Sequence, residues 1–105
     1  MGKLDGKVAV VTGAGTGIGK GIAKAFAVEG CTVVVNGRNM DALSQTVEEI
    51  TKAGGKAHAV RGDVTQEESV RNLFDETVTL FKRVDLLVNN AGRIAGGPLD
   101  QLTLE

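Results

Sequence analysis

Four short apolar runs, separated by three amphipathic stretches, constrain this chain more than any other feature of its sequence. The runs are Val8-Ala9-Val10-Val11, Thr32-Val33-Val34-Val35, Ala57-His58-Ala59-Val60 and Asp85-Leu86-Leu87-Val88. The first is continuous rather than alternating in polarity, as a strand of a parallel sheet covered on both faces requires. Between the runs, apolar residues recur at helical spacing. Ile18, Ile22, Ala23, Phe26 and Ala27 mark the first helix, and Leu43, Val47 and Ile50 the second. Val70, Leu73, Phe74, Thr77 and Phe81 mark the buried side of the third. Gly30 and Gly54-Gly55 stop the first two helices. Thr65-Gln66-Glu67-Glu68 reads as a capping box that starts the third. Strict interleaving of this kind predicts an α/β fold, half of a doubly wound arrangement. Its parallel sheet of four strands should run in order 3-2-1-4, with flanking helices and right-handed crossovers. Ligands would then bind outside the carboxyl ends of the strands, where the order switches between strands one and four.

Composition narrows the possibilities further. A chain of 105 residues suits one domain spanning 1–105. With 42% hydrophobic and 24% charged residues it is an ordinary globular sequence, not a disordered tail. A formal net charge of −1, scattered Lys and Arg and 3% aromatic residues supply no basic stripe, so no nucleic-acid partner is expected. Residues 1–7 are polar and resemble no signal peptide. No apolar run approaches the roughly 18 residues of a membrane span, so no membrane partner is expected either. Cys31 is the single cysteine, which excludes an internal disulfide and suits a reducing, cytoplasmic compartment. It follows Gly30 and reads as a small buried residue. His58 lies in a strand without neighbours at metal-ligand spacing, so it reads as structural and no metal site is expected. Lys20 and Lys24, one turn apart, read as the exposed face of the first helix with no function required.

The chemistry is concentrated in Thr12-Gly13-Ala14-Gly15-Thr16-Gly17-Ile18-Gly19, between the first strand and the first helix. The glycine spacing is G-x-x-x-G-x-G rather than the G-x-G-x-x-G of the usual Rossmann dinucleotide motif. The physical provision is the same. A tight turn lets the backbone approach a pyrophosphate, and a helix N-terminus presents unpaired N–H groups to an anion. Two more stretches stand at the ends of later strands: Gly62-Asp63-Val64 and Asn89-Asn90-Ala91-Gly92. Together these resemble the short-chain dehydrogenase/reductase family, with its T-G-x-x-x-G-x-G turn, an Asp after strand three and N-N-A-G after strand four. The resemblance runs from Gly6-Lys7 to Pro98-Leu99 and leans toward acyl-carrier-protein ketoreductase-like members, without choosing among them and the sugar or steroid dehydrogenases. It implies cofactor contacts from Gly13, Gly15, Thr16, Gly17, Ile18, Gly19, Asp63, Val64, Asn90, Ala91 and Gly92. Asp63 would lie against the adenine, although Asp also favours turns on its own account. Thr12 is expected to bond near the turn after strand four. Asn89 should tie neighbouring strands, and Asn90 should lie by the cofactor ribose.

The end of the second strand bears on which cofactor is taken. NAD enzymes of this type place a carboxylate there for the ribose 2′-OH. By resemblance it belongs at Gly37, and it is absent. Arg38 follows at once, and a guanidinium can pair bidentately with a 2′-phosphate, with no nearby carboxylate expected to repel it. NADP(H) is therefore the expected cofactor, with Arg38 added to its contacts. The resemblance also implies catalysis by Ser, Tyr and Lys in a Y-x-x-x-K arrangement with a further Asn. The sequence holds no tyrosine, and Ser44 and Ser69 belong to the wrong elements. No catalytic residue is assigned. The chain is expected to be the cofactor half of a longer parent, inactive alone, whose full length would take a small carbonyl or alcohol substrate. With strand four at an edge, a homo-oligomer pairing through that strand is expected. The competing expectation is a non-catalytic half-domain that binds a nucleotide or only self-associates.

Overall fold

A computed structural model describes residues 4–15 and 17–90. Its elements run β1 (Val8–Thr12), α1 (Gly17–Val28), β2 (Thr32–Gly37), α2 (Met40–Lys52), β3 (Lys56–Arg61), α3 (Glu67–Phe81) and β4 (Leu86–Asn89). The sheet is parallel throughout, in the order β3-β2-β1-β4. This is the predicted Rossmann-type arrangement, and the reason lies in β1. All five of its residues are buried, because both faces of the sheet are covered. Ala9, Val11, Val33 and Val35 face Ala23 of α1 and Leu43 and Ile50 of α2. Val8, Val10, Val34 and Val60 face Leu73 of α3 on the opposite side.

Several boundaries differ from the periodicity. Asp85 precedes β4 instead of opening it. Its N–H donates to Val8 O at 2.8 Å and its Oδ2 accepts from Val8 N at 2.8 Å. Arg83 holds the same carboxylate through Nε and Nη2, each at 2.8 Å. The Arg83 side chain first, and the Val8 N–H second, keep the Asp85 carboxyl below the usual range.

The expected capping box does not form. The N-cap of α3 is Gln66, and its side chain makes no capping bond. Thr65 turns back instead, donating from N (2.9 Å) and Oγ1 (2.7 Å) to Asp63 Oδ1. A carboxylate two residues upstream outcompetes the helix for the threonine. Along α3, Leu73 and Thr77 are fully buried, and Val70, Phe74 and Phe81 are only partly so.

Ile18 was expected on the buried face of α1 but is 76% exposed, and Gly19 and Ala23 are the residues of that helix that bury completely. Lys20 and Lys24 are not idle. Both ion-pair with Glu49 of α2, at 2.8 and 3.0 Å, and Lys20 more than Lys24 lowers the Glu49 carboxyl. Cys31 is buried, and burial raises its thiol pKa. His58 Nε2 lies 2.7 Å from Glu76 Oε2 and its ring meets Phe81 edge-on, joining β3 to α3. Among the described residues no helix is long and apolar enough to cross a membrane.

Candidate functional site

The glycine-rich turn leaves the carboxyl end of β1 and enters α1. Gly13 (φ 64°) and Gly17 (φ 60°) hold left-handed conformations that cost a residue with a Cβ about 1–2 kcal/mol. Gly19 answers a different need. A Cβ there would stand 2.7 Å from Asn90 Nδ2 and press on the Gly13 carbonyl oxygen. Asn90 Nδ2 donates to that oxygen at 3.2 Å. The start of α1, the turn and the end of β4 therefore meet where the strand order switches. One residue back, Thr12 Oγ1 reaches Asn89 Oδ1 at 3.1 Å and Val88 O at 3.4 Å, so Thr12 and Asn89 tie β1 to β4 as expected.

The other side of the turn rests on β2 and α2. Ala14 N donates to Asn36 O at 3.0 Å. The buried Thr46 hydroxyl is shared between Ala14 O (3.1 Å) and Ala42 O (3.2 Å). A Cβ on Gly15 would stand 3.0 Å from Ala42 Cβ, so α2 closes tightly over this side.

These contacts shape a cleft of about 460 Å³ at the carboxyl ends of β1, β2 and β3. Gly13, Gly15, Arg38, Asp63 and Val64 line it, together with Asn36, Gly37, Asn39, Gly62 and Thr65. Gly17, Ile18, Gly19 and Asn90 are not among its lining residues, although Gly19 and Asn90 both meet the carbonyl oxygen of Gly13, which is one of them. Thr16, Ala91 and Gly92 lie outside the described residues. Asn36 is 1% exposed. Its Nδ2 donates to Val60 O at 2.9 Å and lies 3.5 Å from Gly62 O, and its Oδ1 is buried without a partner among the described residues.

Asp63 is both a turn residue and a cleft residue. The Thr65 hydroxyl and then the Thr65 N–H, with Arg38's charge adding to them, hold its carboxyl below the usual aspartate range. Arg38 is exposed and forms no ion pair within 4.0 Å among the described residues. Along the chain the nearest acidic residue is Asp41, three positions on. In space Asp63 shares its wall of the cleft, so the expectation of no nearby carboxylate is corrected. Asn39 caps α2 by accepting from Ala42 N at 3.1 Å.

The geometry fits a dinucleotide on its own evidence. Two glycines hold left-handed backbone, a third lies too close to a carbonyl for any side chain, and a cleft of ligand size opens beyond them. Asn36, Thr46 and Thr65 shape the site and were not among the residues expected there from the sequence. Among the described residues no cluster of His, Cys, Asp and Glu could hold a metal ion.

Comparison with known proteins agrees. The family model described as short chain dehydrogenase matches residues 7–105. The 7alpha-hydroxysteroid dehydrogenase of Escherichia coli is 50% identical over 96 residues, which cover 91% of this chain and 37% of that protein. A crystal structure of hydroxysteroid dehydrogenase from Escherichia coli superposes with a TM-score of 0.83 at 50% identity, covering 90% of this chain and 40% of that one. A short chain dehydrogenase/reductase from Burkholderia phymatum, solved in complex with NAD, gives 0.78 at 39% identity and covers 83% and 31%. The chain thus spans well under half the length of these relatives.

Proposed function

The chain belongs to the short chain dehydrogenase family, and on that premise we propose that it is the NADP(H)-binding part of an oxidoreductase that interconverts an alcohol and a ketone by hydride transfer. The observation that carries the cofactor choice is the pairing of Gly37 with Arg38 at the mouth of the cleft. A Cβ on Gly37 would stand 3.3 Å from Cδ2 of the fully buried Leu43, so the place of an NAD-type carboxylate is both vacant and tight. The neighbouring guanidinium is free of ion pairs among the described residues and suits a 2′-phosphate.

Bound dinucleotide supplies the hydride chemistry. The residues here do the holding. Gly13, Gly15, Gly17, Ile18 and Gly19, with Thr16, would carry the pyrophosphate at the start of α1. Asp63 and Val64 would flank the adenine. Asn90, with Ala91 and Gly92, would border the ribose at the end of β4. The tyrosine that family chemistry uses for proton transfer is not among these 105 residues, so the proposed activity and its carbonyl or alcohol substrate belong to a longer parent. A cytoplasmic location and self-association through β4 complete the proposal.

Titrating the chain with NADPH and with NADH tests it. NADPH should bind more tightly, and Arg38→Asp should reverse the order. The change should be about 1–3 kcal/mol, the range for hydrogen bonds to a charged group, or roughly 5- to 150-fold in Kd. Equal affinities before and after the substitution would refute the reading.

A further inference from the structure

Four arginines lie among the described residues, and they divide into two kinds. Arg71 pairs with Glu67 at 3.5 Å, and Arg83 with Asp85 at 2.8 Å. Arg38 and Arg61 form no ion pair within 4.0 Å among the described residues, and these two are neighbours. Arg61 closes β3, and its Nε donates to the Arg38 carbonyl at 3.2 Å. Both side chains are exposed and line one shallow depression with Gly62, Asp63 and Ser69. That depression adjoins the larger cleft and shares Arg38, Gly62 and Asp63 with it.

Two like charges on one wall repel each other, weakly in water and more strongly where solvent is displaced. An anion between them reverses the sign of that interaction. The carboxylate on the same wall, Asp63, has one oxygen engaged by both donors of Thr65, which ties it to its own loop. Arg61 has committed only Nε, so its terminal nitrogens keep their donors for a ligand.

We infer that Arg61 is a second specificity-determining residue for the 2′-phosphate. It braces the Arg38 backbone through Nε and offers its terminal N–H groups to the same anion. This rests on the reading of Arg38 given above, and it adds a residue from a different strand.

The test uses 2′,5′-ADP and 5′-AMP, which share the adenosine and differ in the 2′-phosphate. Arg61→Ala should weaken 2′,5′-ADP about tenfold, as loss of a charge-assisted contact does, and leave 5′-AMP unchanged. Arg61→Gln can keep a donor for the Arg38 carbonyl but loses the charge, and it should lose affinity for 2′,5′-ADP as well. Arg61→Lys should recover part of it. A urea midpoint equal to wild type confirms that each variant folds, as expected for an exposed side chain. Wild-type discrimination retained in Arg61→Gln, or an equal loss for both nucleotides in Arg61→Ala, overturns the assignment of Arg61. The Arg38 reading then survives if Arg38→Ala still abolishes the discrimination. A wild-type chain that binds the two nucleotides equally overturns both.

Discussion

Three glycines two residues apart at the start of α1 should respond to alanine in three different ways. Gly21 has open space where its Cβ would go, is exposed, and sits inside the helix. Alanine there removes backbone entropy from the unfolded chain and should stabilise by about 0.5–1 kcal/mol. Gly17 also has open space, but its φ is 60°. Alanine there should cost about 1–2 kcal/mol. Gly19 has ordinary helical freedom and no room. Its Cβ would meet the Gly13 carbonyl oxygen and stand 2.7 Å from Asn90 Nδ2. A carbonyl in a tight turn cannot swing aside as a flexible side chain does, so the turn must move. Overpacking of this kind costs about 1–3 kcal/mol, and losing the Asn90–Gly13 hydrogen bond adds about 1 kcal/mol. The gain in helix propensity offsets up to about 1 kcal/mol of this. Gly19→Ala should therefore be less stable than Gly21→Ala by about 2–4 kcal/mol. Urea unfolding, with m-values checked for equality, measures the gap. In nucleotide titrations Gly21→Ala should match wild type, while Gly17→Ala and Gly19→Ala should bind more weakly. A Gly19→Ala chain as stable as Gly21→Ala would falsify the argument from close approach, and the glycines would then reflect loop flexibility alone.

The other expectations follow from single contacts. The Asp85 carboxyl lies below its usual value because Arg83 and the Val8 N–H favour the charged form. Its contribution is therefore complete above the unfolded value near pH 4 and is lost as pH falls through the lower folded value. Asp85→Asn should be less stable than wild type by a constant amount above about pH 5, with the gap closing at lower pH. A gap that persists unchanged at pH 2 counts against it. Thr46→Val keeps the shape of the buried side chain and strands the Ala14 carbonyl, so it should lower stability by about 1 kcal/mol and loosen nucleotide binding, both read in the same unfolding and titration experiments. Among the described residues β4 pairs with β1 alone, and an open parallel edge templates pairing. Sedimentation of the 105-residue chain at several concentrations should show mass rising with concentration, whereas a monomer with rapidly exchanging β4 amides would remove that expectation.

What could be read from the sequence, and what could not, divides along a physical line. Burial on both sheet faces leaves a one-dimensional trace, so the strands at Val8–Thr12 and Thr32–Gly37 and the order β3-β2-β1-β4 were legible. The glycines were legible too, because only glycine meets the demands at Gly13, Gly17 and Gly19. The misses are polar side chains whose partners are distant or compete locally. The one apolar exception is Ile18, which fits the helical spacing but falls in the first turn of α1 and is 76% exposed. Asn36 bonds to Val60 O, 24 residues away, and nothing in its own strand announces that. Thr46 did carry a signal. It shares the buried face of α2 with Leu43 and Ile50, but a reading restricted to apolar residues passes over a hydroxyl that serves the turn.

Asp63 and Thr65 show the harder case. Thr65 fits a capping box with Glu68, and Asp-x-Thr fits a local turn, and both patterns occupy the same residues. A capping hydroxyl would meet one backbone N–H, worth typically about 1 kcal/mol. Turned the other way, Thr65 meets a full negative charge with two donors at 2.9 and 2.7 Å, and bonds to charged groups are the stronger kind. The turn wins, α3 starts without a side-chain cap at Gln66, and Asp63 is held on the wall of the cleft. The helix terminus gives up a stabilising contact at the place where the site gains a fixed carboxylate. The failed capping expectation thus has a local cause, a charged turn that takes the threonine from the helix terminus.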